Sequence, residues 1–482
     1  MSKTTLVWLQ RELRLSHLPA LQKAIAESSQ VAVVYFHDPK RVIGEANTAW
    51  LSHSLANLRR QLYARGADLF IFSGDFPEQF SLALSEIKPQ QVYYSFQVGQ
   101  PFTEMQDLAL NLCQEHKVAL QPFYSEFWFD PGQLLNQQHR PYVVFTPFYK
   151  AAIGKIDTLE PLQESVVSCD DDWAKLRWRE RLPAHYFQLP PSLSELQDKP
   201  WVKKIMQYWQ VGETAAWERL RSFADHQLNG YADERDFPAL DATSRLAPHL
   251  HFGEISSRML HFELLSLQQT HPKLNAQTWL RQLLWREFAR HLLWFFPYTE
   301  TAPFQEKFAG LSWQNEDSVL HQWQTGQTGI PIIDAGMREL WETGFMHNRL
   351  RMLVASLLTK DLGQSWLLGQ EWFAKTLVDA DPANNTMGWQ WVAGCGVDAA
   401  PYYRLFNPLR QSEKFDPQGT YIRKWVPELR NLSCKAIHAP WLYPQECALK
   451  GITLGRTYPF PMVDLMRSRH SHMARVQELK HA

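Results

Sequence analysis

Residues 1–130 switch repeatedly between two apolar periods, and that alternation leaves few folds open. Short, β-rich apolar runs stand at Leu6–Leu9, Val31–Phe36, Leu69–Phe72, Val92–Phe96 and Val118–Phe123. Helical patterns fill the gaps, at Pro19–Ser28, Thr48–Gly66, Pro77–Ile87 and Glu104–His116. Strands separated by helix-length connections make βαβ units, and such units close into a doubly wound parallel sheet with a crevice at the carboxyl ends of the strands. No GxGxxG follows the first strand and no GxxxxGK[ST] occurs in the chain. A dinucleotide or triphosphate held there in the usual way is therefore not expected.

The remaining chain differs in kind. Residues 131–205 read as an interdomain connector, with seven prolines from Pro141 to Pro200, acids at Asp170–Asp172 and the run Arg177–Arg181, read as a solvated face. Helical patterning returns at Glu213–Phe223 and dominates from 206 to 482, with a long apolar helix at Leu283–Phe296 and a helix pair at Gly336–Leu358 broken at Gly344. No strand is expected there, and the tail histidines His470 and His472 are expected to be exposed. The fold class expected is an α/β domain (1–130), the connector, and an all-α domain (206–482). A chain of 482 residues accommodates two or three domains.

Composition narrows the function classes. Basic and acidic residues number 49 and 50, so nucleic-acid binding would need a local basic face. Five scattered cysteines with no CxxC give no support to zinc or iron–sulfur and fit a reducing cytosol. No apolar run spans a membrane and no signal peptide is evident, so a cytoplasmic protein is expected. The 20 tryptophans are an unusual number; most belong in cores, and a chain this rich also invites stacking or electron transfer.

The stretch Leu377–Arg404 concentrates polar chemistry among tryptophans: Asp379, Asp381, Asn384, Asn385, Trp389, Trp391, Asp398 and Arg404. Buried carboxylates and amides need partners. The segment is either an exposed loop or wraps a large polar ligand; glycines at 388, 394 and 396 favour the second, since they let backbone approach closely. Thr243, Ser244 and Arg245 offer hydroxyls and a cation suited to a pyrophosphate, or merely an ST-type turn at a helix start. Asn348 and Met352, four apart, share one helix face.

Five motifs occur in order: YADERDFPALDATSR at Tyr231–Arg245, WLRQLLWREFAR at Trp279–Arg290, TGIPIIDAGM at Thr328–Met337, GFMHNRLRM at Gly344–Met352 and FDPQGTYIRKWVPEL at Phe415–Leu429. With Leu377–Arg404 and the FTPF at Phe145–Phe148, they resemble the photolyase/cryptochrome family over the whole chain, and class I cyclobutane pyrimidine dimer photolyases most of all.

The resemblance implies an FAD-dependent, blue-light-driven lyase acting on UV-damaged DNA, with cryptochrome-type light sensing without repair as the alternative. It implies that Tyr231, Thr243, Ser244, Arg245, Leu246, Trp279, Arg286, Arg351, Asp379, Asp381 and Asn385 hold FAD, with Arg351 and Asp379 a charge pair and Asn385 facing flavin N5. An amide there both donates and accepts. Trp389, Trp366 and Trp313 occupy the positions of an electron-transfer chain. Asn348, Met352, Gln282, Trp285 and Trp391 line the lesion pocket, where two aromatics restore stacking to a flipped lesion. Enzymes resembling (6-4) photolyases carry histidines where this chain has Asn348 and Met352. Arg235, Arg404 and Lys414, with Arg410, Arg423 and Lys424, are candidates for phosphate contacts.

Three departures stand out. Gln282 replaces a lesion-contacting glutamate of dimer photolyases. The N-terminal WFRxDLRxxDN pattern reads WLQRELRLSHL, with Gln10, Glu12, His17 and Leu18 substituted. Gly99 and Gln100 stand where folate-antenna enzymes have Asn and Glu, so a folate is disfavoured, and a deazaflavin, another flavin or no antenna at all stays open. No metal is expected, and a monomer is.

Overall fold

The protein is described from a computed structural model covering residues 3–162, 170–178, 181–270, 274–399, 401 and 404–481. The chain divides into two compact units. The first comprises residues 1–229, 244–297 and 378–383; the second comprises 230–243, 298–377 and 384–482.

The first unit is built on five strands: β1 (Thr4–Leu9), β2 (Gln30–His37), β3 (Leu69–Ser73), β4 (Gln91–Ser95) and β5 (Ala119–Phe123). All pairs are parallel, in the order β3-β2-β1-β4-β5. The connections carry α1 (Pro19–Glu27), α2 (Glu45–Ala64), α3 (Phe76–Ile87) and α4 (Phe102–Glu115). The two-residue period of the strands explains why both faces are covered. Val7, Leu9, Val31, Val33, Leu69 and Ile71 pack under Leu21, Ile25, Trp50 and Leu55. Leu6, Trp8, Val34, Phe36, Phe70 and Phe72 pack under Phe76, Phe80, Leu84 and Met105. The order reverses between β1 and β4, which puts the crevice at the ends of those strands, as expected for a doubly wound sheet.

This unit also carries α5 (Phe145–Gly154), α6 (Glu213–His226), the five-residue helix Ala247–His251 and α7 (Gln277–Phe295), among other helices. Arg177 and Arg181 are exposed as expected, but Trp178 between them is buried, its ring edge-on to Phe70. Arg179 and Glu180 of that run lie outside the described residues.

The second unit is helical; among its described residues the only bridge is Leu454–Tyr458. Its site-bearing helices are α8 (Pro331–Thr343), α9 (Asn348–Ser356), α10 (Trp366–Thr376) and α11 (Pro382–Ala393) from Asn384 onward. Gly344 closes α8 in a left-handed conformation (φ 68°) that a side chain would strain. The TGIPIIDAGM motif is architectural: buried Asp334 accepts from Thr328 N, Thr328 Oγ1, Gly329 N and the Tyr458 hydroxyl. Asp416 likewise accepts from Tyr421 N and Ile422 N at the start of the next short helix. The final helix α12 (Leu465–His481) corrects one expectation. His470 is exposed, but His472 is fully buried, because Ser468, His472 and Arg475 recur at helical spacing on the face that packs inward.

Candidate functional site

The polar stretch after Leu377 is helical from Pro382 to Ala393, so its side chains are sorted by the 3.6-residue turn. Asn385 and Trp389 are one turn apart. Asn385 Nδ2 donates to the Gln370 carbonyl at 3.0 Å, which fixes the amide and leaves its oxygen outside that bond. Trp389 is buried; its ring lies on Gly369 of α10 and edge-on to Phe373 (5.0 Å between centroids) and Trp323 (6.2 Å). Its indole Nε1 is buried with no partner. Trp391, two residues on, points to another face and is half-buried against Phe406, 6.4 Å away. Trp366 is buried at the start of α10, behind a Ser365 cap, and Trp313 is half-buried. Trp323, which sequence reasoning passed over, is the tryptophan whose ring meets Trp389. Its signal was its place on the apolar side of the helix Asp317–Gln324, with the indole bonded to Val354 O.

On α9, the exposed Asn348 reaches Met352 directly, Nδ2 to Sδ at 4.0 Å, as the spacing requires. Arg351 is tethered by Nε to Met346 O at 2.8 Å. The helix starts on His347, whose Nδ1 accepts from Arg349 N; burial pulls that imidazole down to about 4, so it stays neutral as an acceptor must. Tyr231 is buried beneath the Arg235 guanidinium, 5.2 Å from its ring centre, and burial raises its phenol. Arg404, Arg410, Lys414 and Lys424 are exposed. Arg423 is spent differently: its guanidinium bonds the carbonyls of Arg430 and Leu432, so its role is to hold that turn.

In the first unit, Ser244 forms a tight turn, its Oγ accepting from Leu246 N and its carbonyl from Arg219 Nε. Arg245 sits at φ 51°, a region costly for a side-chain-bearing residue. The helix that follows is only five residues long and has Pro248 in its first turn, so it presents fewer N–H groups than a long helix. Leu246 and Trp279 are buried, Trp279 against Phe223. Gln282 Nε2 donates to Thr278 O at 3.2 Å. Trp285 is half-buried and stacks on Phe145 of the FTPF segment, centroids 3.5 Å apart and planes within 8°.

The densest electrostatics of the first unit surround Asp381. Arg11 Nη1 pairs with Asp381 Oδ2 at 2.9 Å, both groups almost wholly buried; Asp379 is buried beside it in sequence. Arg290 Nη1 and His251 Nδ1 each lie 3.9 Å from the same oxygen. Burial alone would raise the Asp381 carboxyl; His251 and the charges of Arg11, Arg286 and Arg290 hold it well below the usual range. Burial and the neighbouring Arg11 push His251 down to about 3, so its ring is neutral. Burial, reinforced by Glu126, pushes Glu12 up to about 8, so it is protonated at neutral pH, while Glu126 pairs with Arg14 at 2.8 Å. Around Asp381, cationic groups therefore outnumber ionised carboxylates. Arg286 spends Nη2 on Leu250 O, and its Nη1 is buried without a partner, as are Nε and Nη2 of Arg11 and Nε and Nη1 of Arg290. Buried guanidinium donors without acceptors call for an anion. The residues present thus fit a phosphate-bearing cofactor. No cluster of metal-ligating side chains occurs among the described residues.

A cavity opens at the carboxyl ends of β1 and β2, lined by Gln10, Arg11, His37, Asp38, Asn47 and Phe102 among others. The Arg11 guanidinium lies 4.2 Å from the Phe102 ring centre.

Comparison with known proteins agrees with this geometry. Residues 5–166 match the family model described as DNA photolyase, and residues 279–478 the model described as FAD binding domain of DNA photolyase. The deoxyribodipyrimidine photo-lyase of Agrobacterium fabrum is 38% identical over 98% of both chains, and that of Escherichia coli 35% identical over 98% of both. Among solved structures, a class III photolyase from Agrobacterium tumefaciens superimposes with a TM-score of 0.91 at 35% identity, covering 100% of this chain and 98% of that one. A Synechocystis cryptochrome gives 0.86 at 29% identity, covering 98% and 99%. An archaeal photolyase from Sulfolobus tokodaii with two FAD molecules gives 0.79 at 26%, covering 98% and 100%. No helix among the described residues is long and apolar enough to cross a membrane.

Proposed function

Because the chain belongs to the DNA photolyase family, we propose that it repairs cyclobutane pyrimidine dimers in DNA, using FAD and blue light. The observation that carries the lesion class is the Asn348–Met352 pair: a neutral amide touching a thioether, with no protonatable group at either position. Splitting a cyclobutane ring needs an electron and no proton transfer to the base, so a neutral wall suffices. Reduced FAD, when bound and excited, supplies that electron and takes it back.

The chain's own groups do the rest. The surplus of guanidinium charge at Arg11, Arg286 and Arg290 supports phosphate binding, with Thr243, Ser244 and Arg245 adding donors and Tyr231, Leu246 and Trp279 apolar cover. Asp379, Asp381 and Arg351 order the ring end. Asn385, pinned by Gln370 O, is the amide that would face N5. Trp285, backed by Phe145, and Trp391, backed by Phe406, stack on the flipped dimer. Gln282 lends an amide where the family has a carboxylate. Trp389, Trp366 and Trp313 return electrons to the cofactor from the surface, while Arg235, Arg404 and Lys414 meet the phosphates of a damaged strand. We place a second, antenna chromophore, a deazaflavin or another flavin, in the cavity at the ends of β1 and β2. The protein works as a cytoplasmic monomer.

Incubation of chemically reduced protein with a dimer-containing oligonucleotide under blue light should remove the dimers; a (6-4)-containing oligonucleotide should be left intact. Survival of the dimers while the flavin is reduced would favour the light-sensor reading, to which Gln282 and the likeness to a cryptochrome lend support.

A further inference from the structure

The helix that carries Asn348 and Met352 does not end at Ser356. It continues as a π-helical turn, Leu357–Asp361, a rare geometry that tends to occur at functional sites. The turn contains Lys360, which has no exposed surface. An ammonium is costly to bury unless its hydrogens find acceptors, and an apolar side chain would fill the same space without that cost. Lys360 Nζ donates to the main-chain oxygen of Arg404 at 2.7 Å. Four residues earlier, the buried hydroxyl of Ser356 accepts from Phe406 N at 3.3 Å. Two side chains of one helix therefore hold residues 404–406 at two points. The segment they hold is the one that matters for substrate: Phe406 backs Trp391, and the Arg404 guanidinium lies 5.2 Å from the Phe406 ring centre.

We propose that Lys360, assisted by Ser356, is a positioning residue for the lesion wall, fixing the 404–406 backbone so that Phe406 supports Trp391 and Arg404 is presented to the DNA backbone. The proposal rests on the reading of Trp391 and Arg404 given above. The charged and titratable groups around the ammonium are few. Among the described residues, Asp361 follows it in the turn and accepts from Ser468 Oγ at 2.7 Å, Arg475 Nη2 donates to the Lys360 carbonyl at 2.9 Å, and the Cys395 thiol and the Arg404 guanidinium also act on it. Burial pulls the Lys360 amine down to about 8, with Asp361 and Cys395 opposing and Arg404 adding to the fall. The clamp is therefore charged at neutral pH and loses its charge in mild base.

The test compares wild type, Lys360→Met and Lys360→Arg as flavin-loaded proteins binding a dimer-containing oligonucleotide in the dark. A lost charge-assisted hydrogen bond predicts binding about tenfold weaker in Lys360→Met. Flavin content and the rate of flavin photoreduction should be unchanged, and Lys360→Arg should restore part of the affinity. Wild-type affinity should decline as pH rises through about 8, and Lys360→Met should lack that step. Amide exchange at Phe406 should quicken in the Met variant. Equal affinity and equal pH profiles in wild type and Lys360→Met overturn the proposal. If Lys360→Met fails to fold, Ser356→Ala, which removes only the hydroxyl, carries the same prediction at smaller amplitude, and unchanged affinity there overturns it equally. A wild-type protein that ignores dimers at every pH instead overturns the functional reading itself.

Discussion

Replacing Gly369 by alanine tests the packing on which the proposed electron path depends. A Cβ built at Gly369 lies 2.1, 2.4 and 2.6 Å from three ring carbons of Trp389. Ordinary carbon–carbon contact is about 3.5–4.0 Å, so the indole must retreat by roughly 1.5 Å or α10 must shift. In an unobstructed helix, Gly→Ala stabilises by about 1 kcal/mol. Forced overpacking costs about 1–3 kcal/mol. The net expectation for Gly369→Ala is a loss of about 0–2 kcal/mol. Gly388 supplies the control, since it is exposed in α11 and a Cβ there meets nothing within 4 Å. Gly388→Ala should therefore show the full propensity gain. Denaturant unfolding of the two variants should move in opposite directions from wild type. Flavin photoreduction should slow in Gly369→Ala and stay unchanged in Gly388→Ala, because only the first displaces Trp389. If Gly369→Ala gains stability as Gly388→Ala does and photoreduces at the wild-type rate, Trp389 does not rest on α10 as described.

Three other perturbations follow from the same contacts. Trp389→Phe should abolish photoreduction of oxidised enzyme while chemically reduced enzyme still repairs; normal photoreduction would falsify the wiring. Arg11→Met strips Asp381 of its closest cation in a buried setting, which costs about 3–5 kcal/mol, and the purified variant should carry less flavin; chemical unfolding and the visible absorbance of bound flavin read the two effects. Glu12 is raised from 4.5 to about 8 by burial and by Glu126, so the native state holds a proton that the unfolded chain releases. Stability from this group is complete below about pH 4.5 and drains away as pH rises toward 8. Glu12→Gln should flatten the stability profile across that window, and a slope identical to wild type would show that Glu12 is ionised in the native state.

What could be read in advance followed from local periodicity. All five strands lie within two residues of the apolar runs, because a strand covered on both faces writes its own pattern. The break at Gly344 was legible because a left-handed closing residue favours glycine. The shared face of Asn348 and Met352, and the divergence of Trp389 and Trp391, follow from helix geometry alone. Contacts distant in sequence left no such trace. Arg11 and Asp381 are 370 residues apart, and nothing in either neighbourhood announces the pair. The trace that did exist was a run of charge, Gln10 to Arg14, directly after a wholly apolar strand, where charge can only be kept if something opposite compensates it. His472 was misjudged because a polar tail hides a face defined by spacing rather than composition.

Five of the polar residues proposed to build the site share one construction. Each spends a donor on a main-chain carbonyl: Arg286 on Leu250, Asn385 on Gln370, Arg351 on Met346, Gln282 on Thr278 and Lys360 on Arg404. A carbonyl within a packed helix or turn cannot follow the side chain, so the bond fixes the rotamer before any ligand arrives. For Arg286 the bond through Nη2 leaves Nη1 buried and unsatisfied, and for Asn385 it commits Nδ2 and holds the amide in place. The energy of leaving a donor unmet is stored in folding and recovered when an acceptor enters, which is the sense in which the site is preorganised. Removing a tether should then weaken binding without removing any group that touches the ligand. Lys360 is the instance where this separation is cleanest, because its ammonium is wholly buried and its bond ends on backbone, so any effect on DNA must pass through the segment it holds.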